Sequence, residues 1–118
     1  MLLNAILREL KKGSIKNVVA FSDTDVQPDA PYVVVKPETG AIARTRQYRV
    51  IIHHKQGMLD KLENYAMTEI DELLPGHIED DEGSRYKLFK GGYTDVTAEP
   101  QGNTYFMERL FYTPLAGI

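Results

Sequence analysis

The chain has no cysteine and no tryptophan, and only three histidines. Without thiols it forms neither disulfides nor thiolate metal sites, and a reducing compartment is the expectation. Neither sign of charge is in large excess: 14 Lys and Arg against 17 Asp and Glu leave a net charge of -3. That balance counts against a dedicated DNA-coating protein, whose phosphate contacts would show as a basic surplus. No apolar run approaches the ~20 residues needed to cross a bilayer. The opening MLLNAILRELKK is interrupted by Asn4, Arg8 and Glu9 and has no basic lead, so it does not read as a signal peptide. A soluble intracellular protein with no membrane partner is expected.

Catalytic signatures are lacking as well. The only serines, Ser14, Ser22 and Ser84, stand neither in G-x-S-x-G nor beside a plausible histidine base. There is no phosphate-binding glycine loop; Gly91-Gly92 reads as a turn. Asp23, Asp25 and Asp29 imitate a calcium loop, but Gln27, Pro28 and Val34 occupy its positions for an acid, a glycine and a glutamate, so a solvated loop is expected. The pair His53-His54 invites a metal reading. Adjacent residues of a strand point to opposite faces, however, and no HxH or HExxH spacing exists. The pair reads as the end of a strand, with Gly57 giving the backbone freedom to turn into a helix. No enzyme activity, metal or other cofactor is expected.

What is present is periodicity. A chain of 118 residues fits one domain, 1–118, and buries roughly two-thirds of its unfolded surface. Leu2, Leu3, Ile6, Leu7 and Leu10 recur at helical spacing, closed by Lys11-Lys12-Gly13 with Gly13 as a C-cap. IKNVVAF (15–21) reads as a strand and SDTDVQPDAP (22–31) as a loop. YVVVK (32–36) and RQYRVIIHHK (46–55) make a hairpin whose tip, PETGAIART, begins at Pro37. From Met58 to Leu74 the period becomes helical, with Leu59, Leu62, Ala66, Ile70, Leu73 and Leu74 on one stripe and Pro75-Gly76 as the stop. HIEDDEGS (77–84) reads as an acidic loop. Three short strands follow, YKLF (86–89), YTDVTAE (93–99) and TYFMERLFYT (104–113), separated by Gly91-Gly92 and by a turn at 100–103. Both faces of the last strand carry apolar mass, so either it is central or its outer face meets another subunit. The fold expected is α+β, a mainly antiparallel sheet with two helices packed on one face.

Charge is arranged unevenly. Arg44, Arg46, Arg49 and Lys55 form a stretch without acids, and Glu79, Asp80, Asp81 and Glu82 follow the second helix. Such runs are solvated faces by default. Repeated head to tail, the basic hairpin of one copy could instead meet the acidic loop of the next and close a ring.

The leading amphipathic helix, the acid- and proline-rich loop before PYVVV, the hairpin ending RQYRVIIHHK, the helix MLDKLENYAMTEIDELL and the aromatic strand NTYFMERLFYTPL form a pattern over nearly the whole chain. It resembles the tail-terminator (tail-completion) proteins of long-tailed bacteriophages and related minor proteins of phage necks. The resemblance rests on element order, length and texture. It implies a small subunit that forms a hexameric ring on the tail tube, stops tube growth and presents a surface for head joining, with no catalytic residues. It implies as partners the chain itself, the tail tube protein and the head–tail connector protein, the subunit remaining a monomer until it meets the tube. Host cytoplasm during assembly and then the virion tail or neck are the locations implied. Within that reading the hairpin tip ranks first for partner contact, through Ala41 and Ile42 flanked by Glu38 and Arg44. Arg46 and Arg49 are set against Glu79, Asp80 and Asp81. The alternative within the same class is another neck, head–tail joining or baseplate component. Outside it stand a small metal-dependent enzyme and a nucleic-acid binder using the basic hairpin with Tyr48; no specific nucleic acid is expected as a partner.

Overall fold

β-Branched and aromatic residues concentrate in three runs, and these become the three long strands of the protein. The structure, a computed structural model, describes residues 2–21, 31–39, 45–55, 57, 59–74, 76–98 and 104–114. Strands β2 (Tyr32–Thr39), β3 (Thr45–Lys55) and β8 (Thr104–Pro114) lie side by side and antiparallel, with β3 and β8 paired along their full length. The sheet is completed by β1 (Val18–Ala20), parallel to β2, and by β6 (Phe89–Tyr93) and β7 (Thr97–Ala98), both antiparallel to β8. Its order is β1-β2-β3-β8-β6, with β7 also on β8. The final strand is therefore central.

Alternation decides which side chains meet the helices. Ile52 sits between Val33 and Met107, Val50 between Val35 and Arg109, and Tyr48 between Pro37 and Phe111. Helix α1 (Leu2–Leu10) covers this face with Leu2, Ala5, Ile6 and Leu10, all buried. Beside it runs a second helical segment made of α2 (Leu59–Asn64), a π-helical turn (Tyr65–Glu69) and α3 (Ile70–Leu73). Leu62, Tyr65, Ala66 and Ile70 enter the same core. The architecture is α+β, with a mainly antiparallel sheet and both helical segments on one face, as the periodicity predicts.

The π turn has a cause in the spacing. Leu62, Ala66, Ile70 and Leu74 are all buried and stand four residues apart. An α-helix of 3.6 residues per turn would rotate such a stripe by about 40° at each step. Widening one turn brings it back: the Ile70 N–H donates to the Tyr65 carbonyl, five residues earlier.

Several boundaries differ from those the sequence predicts. β2 continues through Pro37, beyond Val35, the last residue that β1 pairs, so the proline lies where the strand has an open edge. The first strand is shorter than 15–21. Residues 77–79 form not a loop but β4 (His77–Glu79), antiparallel to β5 (Arg85–Lys87) in a separate two-stranded sheet. Gly91-Gly92 lies inside β6 rather than at a turn, and Gly91 packs so closely on Leu110 that a Cβ would come within 3.1 Å of it. Gly13 is not a left-handed cap. An added Cβ there would stand 2.6 Å from Leu73 Cδ1, so this glycine lets the first turn approach the second helical segment. Gly57, at φ 85°, does have the left-handed backbone that the strand-to-helix junction requires. The turn predicted at 100–103 lies outside the described residues.

Candidate interaction surface

The face of the sheet turned away from the helices is where several of the predicted residues fall. On β3 it presents Gln47, Arg49, Ile51 and His53, in register with Glu38, Lys36, Val34 and Tyr32 of β2 and with Tyr112, Leu110, Glu108 and Phe106 of β8. Ile51, Phe106, Leu110 and Tyr112 are half-buried. Phe89 extends the band from β6: it is 43% exposed and stacks on Tyr112 with ring centres 5.6 Å apart. At the other end His53 stacks on Tyr32 at 4.3 Å and lies 6.2 Å from the Phe106 ring. The two histidines thus point to opposite faces, and His54 is buried on the helix side.

Charge on this open face is paired within the molecule. The Arg49 guanidinium donates from Nε to Glu38 Oε1 at 2.5 Å and from its terminal nitrogen to Glu108 Oε2 at 2.5 Å, tying β2, β3 and β8 together. Glu38 holds the Arg49 pKa up, with Glu108 adding to it, and Arg49 holds the Glu38 carboxyl below its ordinary range. The result is an apolar and aromatic band crossed by an ion triad in which two carboxylates share one guanidinium, with Lys36 also acting on the Glu38 carboxyl.

The remaining predicted residues are dispersed. Arg46 is exposed but, three residues from Arg49, stands on the opposite face, so the two do not form one basic patch. Asp80 is buried inside the β4–β5 turn, where its Oδ1 accepts from the Glu82 and Ser84 N–H groups and its Oδ2 from the Tyr86 hydroxyl. Asp81 pairs with Arg8 of α1 at 2.7 Å, and the Glu79 carbonyl accepts from the same guanidinium. Within the fold, Arg49, Asp80 and Asp81 of the expected Arg46/Arg49–Asp80/Asp81 set each have a partner, and Arg46 stands exposed. Ala41, Ile42 and Arg44 lie outside the described residues.

Reasoning from sequence missed the band itself. Its signal was present in the two-sided apolar character of 104–113, but only the sheet order shows that the helices cover one side and leave the other. It also missed Arg109, 5% exposed, which donates to the Ala66 carbonyl in the π turn and to Asp71 Oδ1 at 2.9 Å. Among the described residues no three His, Asp or Glu side chains are grouped so as to hold a metal ion, and no helix is long and apolar enough to cross a membrane. No protein-family model matches this chain, and no curated protein matches it.

Proposed function

We propose that this chain is a virion-assembly subunit of a long-tailed bacteriophage, a tail terminator that closes the tail tube as a ring of identical copies and offers the surface on which the head connector docks. The observation that carries the reading is the open face of the sheet. Ile51, Leu110, Phe106, Tyr112 and Phe89 supply apolar area there, and in the Glu38–Arg49–Glu108 triad every charge has an opposite one beside it. A face of this kind suits burial against protein, because apolar area is removed from water while no unpaired charge is desolvated. The order of elements along the chain, shared with the resemblance to tail-completion proteins, supports the same reading. Action then lies in surfaces meeting across many copies.

The test is electron microscopy of particles from a phage whose copy of this gene is disrupted. Overlong tubes or tails without heads are the expected outcome. Filled heads lacking a stopper would assign the chain to the connector instead, and normal infectious particles would overturn the assembly role.

A further inference from the structure

The passage from β3 into the second helical segment is thinly held. β2 pairs β3 only as far as His53, so His54 and Lys55 continue against β8 alone, opposite Tyr105 and Thr104. Gly57 then takes its left-handed backbone, and the first turn of α2 is exposed at Leu59, Asp60 and Lys61. A cleft of about 550 Å³ opens there, lined by Asp60, Lys61 and Tyr65 together with Ser14 and Ile15. The remainder of the segment is anchored. Glu69 accepts from the Ser14 N–H and hydroxyl, the Ala66 carbonyl accepts from Arg109, and Tyr65, Ala66 and Ile70 belong to the core. A stretch with little buried apolar area beside well-anchored neighbours is the part of a fold that opens first.

At this weak point the fold encloses a titratable group. His54 is 3% exposed, and α2 packs against β3, so the ring stays dry only while the junction is closed. Around it stand Lys55 on its own strand, Tyr105 across on β8, and Asp60, Lys61, Tyr65 and Glu69 of the second helical segment. Burial lowers the imidazole pKa from its ordinary 6.5, a backbone hydrogen bond at Lys55 works the other way, and Lys61 lowers it further. Glu69 is engaged by Ser14, and no carboxylate among the described residues acts on the ring. An imidazolium formed in the closed junction is stripped of water and faces a second cation; in the open junction it is hydrated.

We propose that His54 is an acid-released latch on the strand-to-helix junction. When the ring takes up a proton, Lys55, Gly57 and the first turn of α2 detach from the end of the sheet. Gly57 absorbs the backbone change, because glycine occupies either sign of φ without strain. The anchored remainder, from Tyr65 to Leu74, stays in place. The folded pKa lies below 6.5, so the open junction binds a proton that the closed one does not. Closure is therefore unaffected above about pH 7.5 and weakens as pH falls through about 6.5. The latch stands without the ring assignment, since it lies on the helix side of the sheet.

Amide hydrogen exchange on the full chain, read by nuclear magnetic resonance, tests it. Glu63 and Asn64 report on the junction, since their amides stand one turn beyond Leu59 and Asp60. Their protection factors, which remove the intrinsic pH effect on exchange, should fall about tenfold between about pH 7.5 and 5.5, because the opened imidazole titrates near 6.5. Their exchange should also be faster than that of Val33 and Ile52 and insensitive to low urea, as an opening that exposes little surface is. Protection that ignores pH overturns the proposal. So does exchange that follows the urea dependence of Val33 and Ile52, which would place the protonation in global unfolding. In His54→Gln the fall should vanish, and its persistence would assign it to another group and overturn the latch. The His54 ring signals of the parent give a readout that needs no variant: a midpoint below 6.5 is expected, and one at or above 6.5 overturns the proposal.

Discussion

Arg49 holds two carboxylates at once, and an acid sensitivity of the sheet follows. The Glu38 carboxyl is held below its ordinary value of 4.5 by the Arg49 guanidinium. A group whose folded pKa is depressed contributes stability that is fully present above its unfolded pKa and is lost as pH falls through the folded value. The urea midpoint should therefore fall as pH drops below about 5, less steeply in Glu38→Gln than in the parent. The variant's curve will not be flat, because Lys12 also holds the Glu9 carboxyl down. Replacing Arg49 by Met should destabilise by about 1–2 kcal/mol, since Glu38 and Glu108 are left half-buried and unpaired. Asp80 has a different task. In Asp80→Ala the Glu82 and Ser84 amides lose their acceptor, and hydrogen exchange at those two sites should accelerate, while Asp80→Asn, which keeps an acceptor oxygen, changes them less. Neither role was readable from composition. The acids of 79–82 look alike in sequence, and only the turn separates a buried one from an exposed one.

Among the elements, the second helical segment is the most informative. Its existence and apolar stripe are plain from Leu62, Ala66, Ile70 and Leu74, whereas the sequence reads as an ordinary helical period and the π turn comes from the structure. What it does there is not local. The widened turn leaves the Ala66 carbonyl to Arg109 of β8, whose guanidinium also reaches Asp71 and lies 5.4 Å from the Phe111 ring centre. Arg109→Met keeps most of the packing but leaves that carbonyl and part of the Asp71 charge unmet, although Lys90 stays 3.4 Å from Asp71. A loss of about 2–3 kcal/mol in urea unfolding is expected. A change below a few tenths would mean that the buried cation contributes nothing net. The β4–β5 hairpin went unread for a related reason. Each strand is three residues long, too short for an alternating pattern to stand out, and Arg8 of α1 ties the hairpin down from 71 residues away in sequence.

For the whole molecule, the decisive asymmetry is that both helical segments lie on one side of the sheet, while on the other side Tyr32 and Val34 are buried and Phe89 stays exposed. If the open face is where copies or the tube meet, Phe89→Lys should leave the urea midpoint within about 0.5 kcal/mol of the parent, as for an ordinary surface position. The same variant should fail to form rings when mixed with tail tubes and viewed by electron microscopy. Rings of normal appearance would remove that face from the interface. Phe89 is the informative position because it is the most exposed member of the band and stacks on Tyr112 at its edge.

The order and type of the main elements were determined by the sequence by itself, because alternation and helical spacing are set by residues two to four apart. The central place of the last strand, the internal partners of Arg49, Asp80 and Asp81, the burial of His54 and the face of the sheet that the helices leave were decided only by the tertiary structure. Each depends on which distant segments pair, and pairing is governed by the summed burial of the whole core rather than by any local pattern.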